Sequence, residues 1–340
     1  MKIAMITGSY PPNVCGVGDY TERLMSSLEQ RGHSVEVITG GGWGLSDAPA
    51  VLKRINACGA DIVHLQYPTV GYGRKLGPQL IALVERGVVT IHEASQTHVL
   101  RRLSLFPLLS SRHVVFTNFF ERDYVGGFAP WVRERSSIIP IGSNLPVGRL
   151  ASERRLNEVI YFGLIRPAKG LEQVLDAARI LKQRIPGMMV RIVGLTLKEH
   201  ETYLEVLRRA SADLPVVWDL GLSDQEAANL MANAAIAYVP FPDGASERRG
   251  SLLALLTNGV ATVTTRGVQT PSALDHVVEF AASPIDAVAI LEALRKDGLR
   301  RGTLSEEGIR YATRFSWPDI ADQHIRLYES IITKRRIGSA

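Results

Sequence analysis

Short apolar runs alternate along the chain with stretches whose apolar positions recur every three to four residues. "KIAMIT", "SVEVIT", "DIVHLQ", "VVTIHE" and "HVVFTN" read as strands buried on both faces. Between the first two, "GDYTERLMSSLEQRG" places Leu24 and Leu28 on one helical face. Asp19 and Glu22 have the spacing of a capping box, and Gly32 closes that helix. Near Pro140 the pattern loosens into "PIGSNLPVGRLASERRLN", rich in Gly, Pro, Ser and charge, which reads as a linker. The alternation then restarts with "EVIYFG", helix 170–184, "MVRIVG", helix 197–210, "VVWDLG", helix 224–233, "AIAYVP", helix 249–258 and "ATVTT". Leu171, Val174, Leu175, Ala178 and Leu181 form one core-facing stripe, and Ser223 with Glu226 spell a second capping box. "FSWPDIADQHIRLYESII" is a final helix, with Ser316 as N-cap and Pro318 in its first turn.

Strands separated by helices predict parallel sheets covered on both faces, so the fold class is α/β. Two such series in 340 residues predict two Rossmann-like, doubly wound domains, 1–148 and 157–316, followed by helix 317–333. That helix is expected to cross back to the N-terminal domain.

Composition narrows the function. The chain is 46% apolar, ordinary for a globular protein, and carries a net charge of +5. A mildly basic surface fits anionic substrates or an anionic membrane face; without a Lys/Arg block interleaved with aromatics, nucleic acid is not an expected partner. Two cysteines, Cys15 and Cys58, suit a reducing compartment better than a disulfide framework. "MKIAMITGSYPP" is too short an apolar run for a signal peptide, and no stretch has the length of a membrane span. A cytoplasmic location follows as the expectation.

In open α/β sheets, ligands bind beyond the carboxyl ends of the strands, and four loops there are unusual. In "SYPPNVCGVGDY", Gly16 and Gly18 stand just before a helix and would let the backbone approach a ligand. The third glycine of a dinucleotide fingerprint is absent, so a plain tight turn explains the pair equally well. In "FGLIRPAKGLEQVL", Arg166 and Lys169 stand at the mouth of a helix, where the macrodipole already repels cations. They are either solvated or placed to meet an anion. In "VPFPDGASERRGSLLALLTNG", Arg248, Arg249, Gly250 and Ser251 make a second anion cradle, unless Ser246 merely caps the helix. His92 follows the strand in "VVTIHE"; a lone histidine there is more often structural than catalytic, but the N-terminal domain offers few other reactive groups at such an edge, so His92 is the catalytic candidate and His64 a weaker case of the same kind. Taken together, these loops suggest two domains facing each other across a cleft, with a diphosphate held on the C-terminal side.

With "SYPPNVCGVGDYTERL", "ADIVHLQYP", "VVTIHE", "YFGLIRPAKGLEQVLDAARIL", "RIVG", "DLGLSDQEAANLMANAAIAYVPF", "GSLLALLTNGVATVTT" and "FSWPDIADQHIRLYESI" in this order, nearly the whole chain resembles the retaining glycosyltransferases of family 4, which have the GT-B fold. The resemblance implies a nucleotide-diphosphate sugar donor on the C-terminal domain and an acceptor (glycan, lipid-linked or small molecule) on the N-terminal one. It implies no cofactor and no metal, and the chain has no Asp-x-Asp pair to hold one. By the same likeness Lys169 would contact the diphosphate, backbone at Leu222 would lie near the base, His92 beside the sugar, and Gly16 and Gly18 across the cleft.

Two departures stand out. The family usually has Arg directly after the strand glycine, where this chain has Leu164, with Arg166 two residues on. The family's two glutamates, with seven residues between them, correspond to Ser246 and Ala254. Asp243 or Glu247 would then have to meet the sugar hydroxyls, while Arg248, Arg249 and Ser251 shift recognition toward the phosphates. A catalytically silent nucleotide-sugar-binding protein is the alternative. An epimerase on the same architecture would need acids flanking the sugar, and no convincing set is present. Finally, "HVLRRLSLFPLLSSRH", residues 98–113, is basic and apolar enough to touch an anionic membrane, though Pro107 argues against one straight helix there.

Overall fold

The apolar runs form two separate six-stranded sheets, and every adjacent pair of strands is parallel. The computed structural model of the chain describes residues 1–13, 15–95, 102–143, 145–151 and 153–337. It divides into one unit of Met1–Gly142 with Ser316–Ala340 and a second of Ser143–Phe315.

In the first unit, β1 (Lys2–Ile6), β2 (Ser34–Ile38), β3 (Ile62–Tyr67), β4 (Val88–Ile91), β5 (His113–Phe116) and β6 (Ser136–Ile138) lie in the order β2-β1-β3-β4-β5-β6. Central β1 is buried from Ile3 onward, whereas edge strand β2 alternates between exposed and half-buried positions. Helix Gly16–Glu29 begins earlier than its sequence pattern suggests, with Cys15 as N-cap and no side-chain cap. The expected Asp19–Glu22 capping box therefore does not form; Asp19 instead falls in the first turn, where its charge complements the dipole.

The second unit has β7 (Arg155–Leu164), β8 (Met189–Leu195), β9 (Val216–Leu220), β10 (Ala234–Val239), β11 (Ala261–Thr264) and β12 (Glu279–Phe280), ordered β12-β11-β10-β7-β8-β9. The order reverses between β7 and β10, the switch point where such sheets hold ligands. Helix Leu171–Arg184 buries Leu171, Val174, Leu175, Ala178 and Leu181 as its periodicity requires. The Ser223–Glu226 capping box is present with both of its bonds.

The division between units falls after Gly142 rather than Gly148. Leu145 packs on the second core, and the Gly148 and Arg149 N–H groups donate to Asn258 Oδ1 (2.7 Å) and Asn229 Oδ1 (2.8 Å). These side-chain amides fasten the stretch to the second unit. The C-terminal helix Trp317–Ile337, capped by Ser316, belongs to the first. There Ser27 Oγ donates to the Trp317 carbonyl at 3.1 Å, Arg31 pairs with Asp322, and Tyr328 bonds His64 Nδ1 at 2.6 Å.

His324 on that helix and His64 of β3 are both fully buried, with ring centroids 5.6 Å apart. Burial pushes His324 down from 6.5 to about 4, and burial plus neighbouring imidazoles push His64 well below 6.5. Because both take up protons more readily unfolded, their contribution to stability is complete above pH about 6.5 and is lost as pH falls below it, the His324 share through about 4. Melting temperature should drop progressively over that window, and His324→Leu should shallow the slope. An unchanged slope would remove His324 as a source.

Candidate functional site

At the carboxyl ends of β7, β8 and β9 a cavity of about 540 Å³ opens within the second unit. Its floor is built from strand-end glycines. Gly163 and Gly194 are register partners, and the Gly221 N–H donates to the Gly194 carbonyl at 3.0 Å. A Cβ at Gly194 would run into the Gly163 carbonyl, and Gly221 holds φ +72°, so side chains are excluded from the floor and its backbone is bare. Phe162, Leu195, Leu222 and Phe241 supply apolar walls, with Leu195 51% exposed at the rim.

The other end of the cavity is cationic. The loop after β7 is fixed by Tyr161, whose hydroxyl donates to the Lys169 carbonyl at 3.2 Å, and by Gly170, whose φ of +76° lets it abut Pro240. Lys169 is thereby held half-buried, and its ammonium makes no hydrogen bond or ion pair among the described residues. Burial first, then the charges of Arg166 and Arg249, push its pKa below 10.5, and Asp243 only partly opposes them. Arg249 pairs with Asp243 and lies 5.0 Å over the Phe241 ring, yet its Nε is buried without a partner. Helix Gly250–Thr257 starts beside them with no side-chain cap, leaving its first amides unsatisfied. Lys169, repelled by Arg166 and Arg249, and a positive helix end form a place where a polyanion would relieve an existing cost.

In the first unit, His92 follows β4 and is 6% exposed. Its Nε2–H donates to Gln66 Oε1 at 2.9 Å, so Nδ1 carries the lone pair and has no partner among the described residues. Burial, with a smaller contribution from His324, lowers its pKa to about 3. Tyr20 packs edge-on against His92 at 4.7 Å, which brings helix Gly16–Glu29 beside it. Glu121, fully buried, accepts the Ala94 and Ser95 N–H groups at 2.7 and 2.9 Å and so fixes the loop that follows.

No family model and no curated protein sequence matches the chain. Solved structures do. A glycosyltransferase from Rickettsia africae superposes with TM-score 0.76 at 14% identity, covering 97% of this chain and 98% of that one. Anabaena HepE in complex with UDP-glucose gives 0.67 at 17% identity, over 97% of this chain and 100% of that one. Sucrose-phosphate synthase from Thermosynechococcus elongatus gives 0.69 at 15%, over 98% and 99%. The fold is GT-B.

Of the residues expected to meet a donor, Lys169, Leu222, Arg249, Gly250 and Ser251 line the cavity of this GT-B chain together. Arg166 does not line it, although its charge acts on Lys169. Three others lie off its wall. Asp243 is engaged by Arg249, Glu247 Oε1 accepts from the Tyr311 hydroxyl at 3.1 Å, and Ser246 is buried; none of the three forms the wall. Nor does Ser246 cap the following helix. Ala254 is fully buried, so no carboxylate occupies its position. Gly16, Gly18 and His92 belong to the first unit and form no part of this cavity. A Cβ at Gly18 would lie 3.0 Å from the Ser9 carbonyl, a packing reason for glycine, whereas one at Gly16 would meet nothing within 4 Å.

The floor glycines are site residues that the reading of motifs misses. Their signal is present nonetheless, since "YFG", "RIVG" and "DLG" all end in glycine where a strand stops. The segment 98–113 is described from Arg102 onward. There Leu105, Leu108 and Leu109 turn into the core, so these apolar residues do not form a membrane-facing helix, while Leu103 stays 70% exposed. No helix among the described residues is long and apolar enough to cross a membrane.

Proposed function

We propose that the chain transfers a sugar from a nucleotide-diphosphate sugar to an acceptor hydroxyl, and that the cavity of the second unit holds the donor. The carrying observation is a half-buried Lys169 with no ion-pair partner among the described residues, beside Arg249 and an uncapped helix start, in one cavity. Two strand spacings, roughly 10 Å, separate this cationic end at β7 from Leu222 beyond β9, which with Leu195 at the end of β8 would suit a nucleobase. As the anomeric C–O bond breaks, its electron pair moves onto the diphosphate, and fixed cations and amides stabilise that charge more in the transition state than before it. Protein cations would thus do the work of a metal, and chelator should leave turnover unchanged.

Retention of anomeric configuration and membership of family 4 are part of the proposal. The order and spacing of the motifs support both. So does His92: with a pKa of about 3 it is a poor base for the acceptor proton, which leaves the departing phosphate, on the donor's own face, to take it. His92 is proposed instead to accept a hydrogen bond from a sugar hydroxyl at Nδ1. His92→Ala should depress turnover far more than nucleotide affinity, and the pH–rate profile should show no wild-type titration near 6.5 that this variant removes. Equal turnover in the two proteins would make His92 structural.

A silent donor-binding protein is the second reading, favoured by Ala254 and Ser246 leaving Asp224 as the acid among the described residues of the cavity wall. A panel of nucleotide sugars decides. Acceptor-dependent release of free nucleotide supports transfer; thermal stabilisation without release supports silent binding.

A further inference from the structure

Helix Gly77–Glu85 is apolar on the wrong side as well as the right one. Ile81 and Ala82 face the core of the first unit, yet Leu76 at its start and Leu80 and Leu83 along it line an open groove of about 590 Å³. Leu76 is 46% and Leu83 44% exposed, and Leu103 closes the opposite wall at 70%. A soluble helix ordinarily turns such a stripe inward. At the bottom of the groove Gln79 is 5% exposed, and its Oε1 has no hydrogen-bond partner, although Nε2 reaches the Tyr67 hydroxyl at 3.4 Å. A buried amide oxygen left unpaired is costly unless a donor enters the groove. At the rim stand Arg74 and Lys75, exposed and without ion-pair partners among the described residues.

We infer that this groove seats an anionic bilayer lipid. Its phosphate would meet Arg74 and Lys75, its hydrocarbon would lie on Leu76, Leu80, Leu83 and Leu103, and a headgroup or glycerol hydroxyl would donate to Gln79. Charge selects this occupant over a second copy of the chain. Arg74 and Lys75 stand in the groove's lining with no acid beside them among the described residues. A two-fold contact would bring that pair against its own copy, whereas an anionic leaflet attracts it. The inference is independent of sugar transfer, and its test does not use turnover.

The full chain is sedimented with phosphatidylcholine vesicles, with and without phosphatidylglycerol, alongside three variants whose melting temperatures match wild type. Binding is expected only to the anionic vesicles. Arg74→Glu with Lys75→Glu should weaken it about tenfold or more, and Leu83→Asp with Leu103→Asp comparably. Arg184→Glu with Lys198→Glu, on exposed positions of the second unit, should bind as wild type. Equal binding to neutral vesicles, or none to either, overturns the inference. Leucine variants that still bind normally would reduce the contact to surface charge and overturn the seat. A concentration-dependent dimer abolished by Leu83→Asp would assign the groove to a second copy instead.

Discussion

Lys169→Ala is expected to weaken nucleoside diphosphate binding by about 1–3 kcal/mol, the scale of a charge-assisted contact, while leaving the free protein as stable as before or slightly more so. The two effects have one cause. Lys169 is half-buried, repelled by Arg166 and Arg249, and makes no ion pair of its own among the described residues. In the free protein its charge is a liability that alanine removes. With a diphosphate present the same charge becomes a contact, and the variant loses it. Calorimetric titration and thermal unfolding of the same preparations separate this from a structural role. A lower melting temperature with unchanged affinity would show that Lys169 supports the fold and not a ligand.

Gly250→Val should have an effect of similar size by a different route. A Cβ at Gly250 meets nothing within 4 Å, so valine fits the free protein and replaces a poor helix former. In the cavity it would stand over the uncapped amides at the start of helix Gly250–Thr257. Melting temperature should hold or rise, and diphosphate affinity should fall about tenfold or more, a loss of ~1.4 kcal/mol. Undiminished binding would mean that this helix end does not meet the ligand.

Much of the fold is legible in the amino-acid sequence. Apolar runs bounded by helical stripes mark ten of the strands, because a strand covered on both faces leaves little room for polar residues. β6 and β12 leave no such mark, because Ser136–Ile138 and Glu279–Phe280 are short edge strands with half-buried side chains, so neither carries a run. The Ser223–Glu226 box forms because the helix begins right after Ser223 and the two side chains bond within the box, whereas Asp19–Glu22 loses its role when the helix begins at Gly16. Lys169, Arg249, Gly250 and Ser251, which share one cavity wall, stand out in the sequence because cations at a helix start contradict the local dipole. What stays hidden depends on contacts between distant residues. Asp243 and Glu247 look available along the chain, but Arg249 and Tyr311 claim them. The three floor glycines gain meaning only once β7, β8 and β9 lie side by side. His92 is legible only as a histidine at a strand end; that Gln66 and Tyr20 enclose it and that burial lowers its pKa to about 3 depends on the packed fold.

One titration bears on the donor site most directly: wild type and Lys169→Ala, each with uridine, guanosine, adenosine and thymidine diphosphates and with the matching free nucleosides. One diphosphate should bind wild type far more tightly than its own nucleoside, with most of that preference gone in the variant. If no diphosphate binds, or if a nucleoside binds as well as its diphosphate, the cations around Lys169 serve something other than a nucleotide sugar.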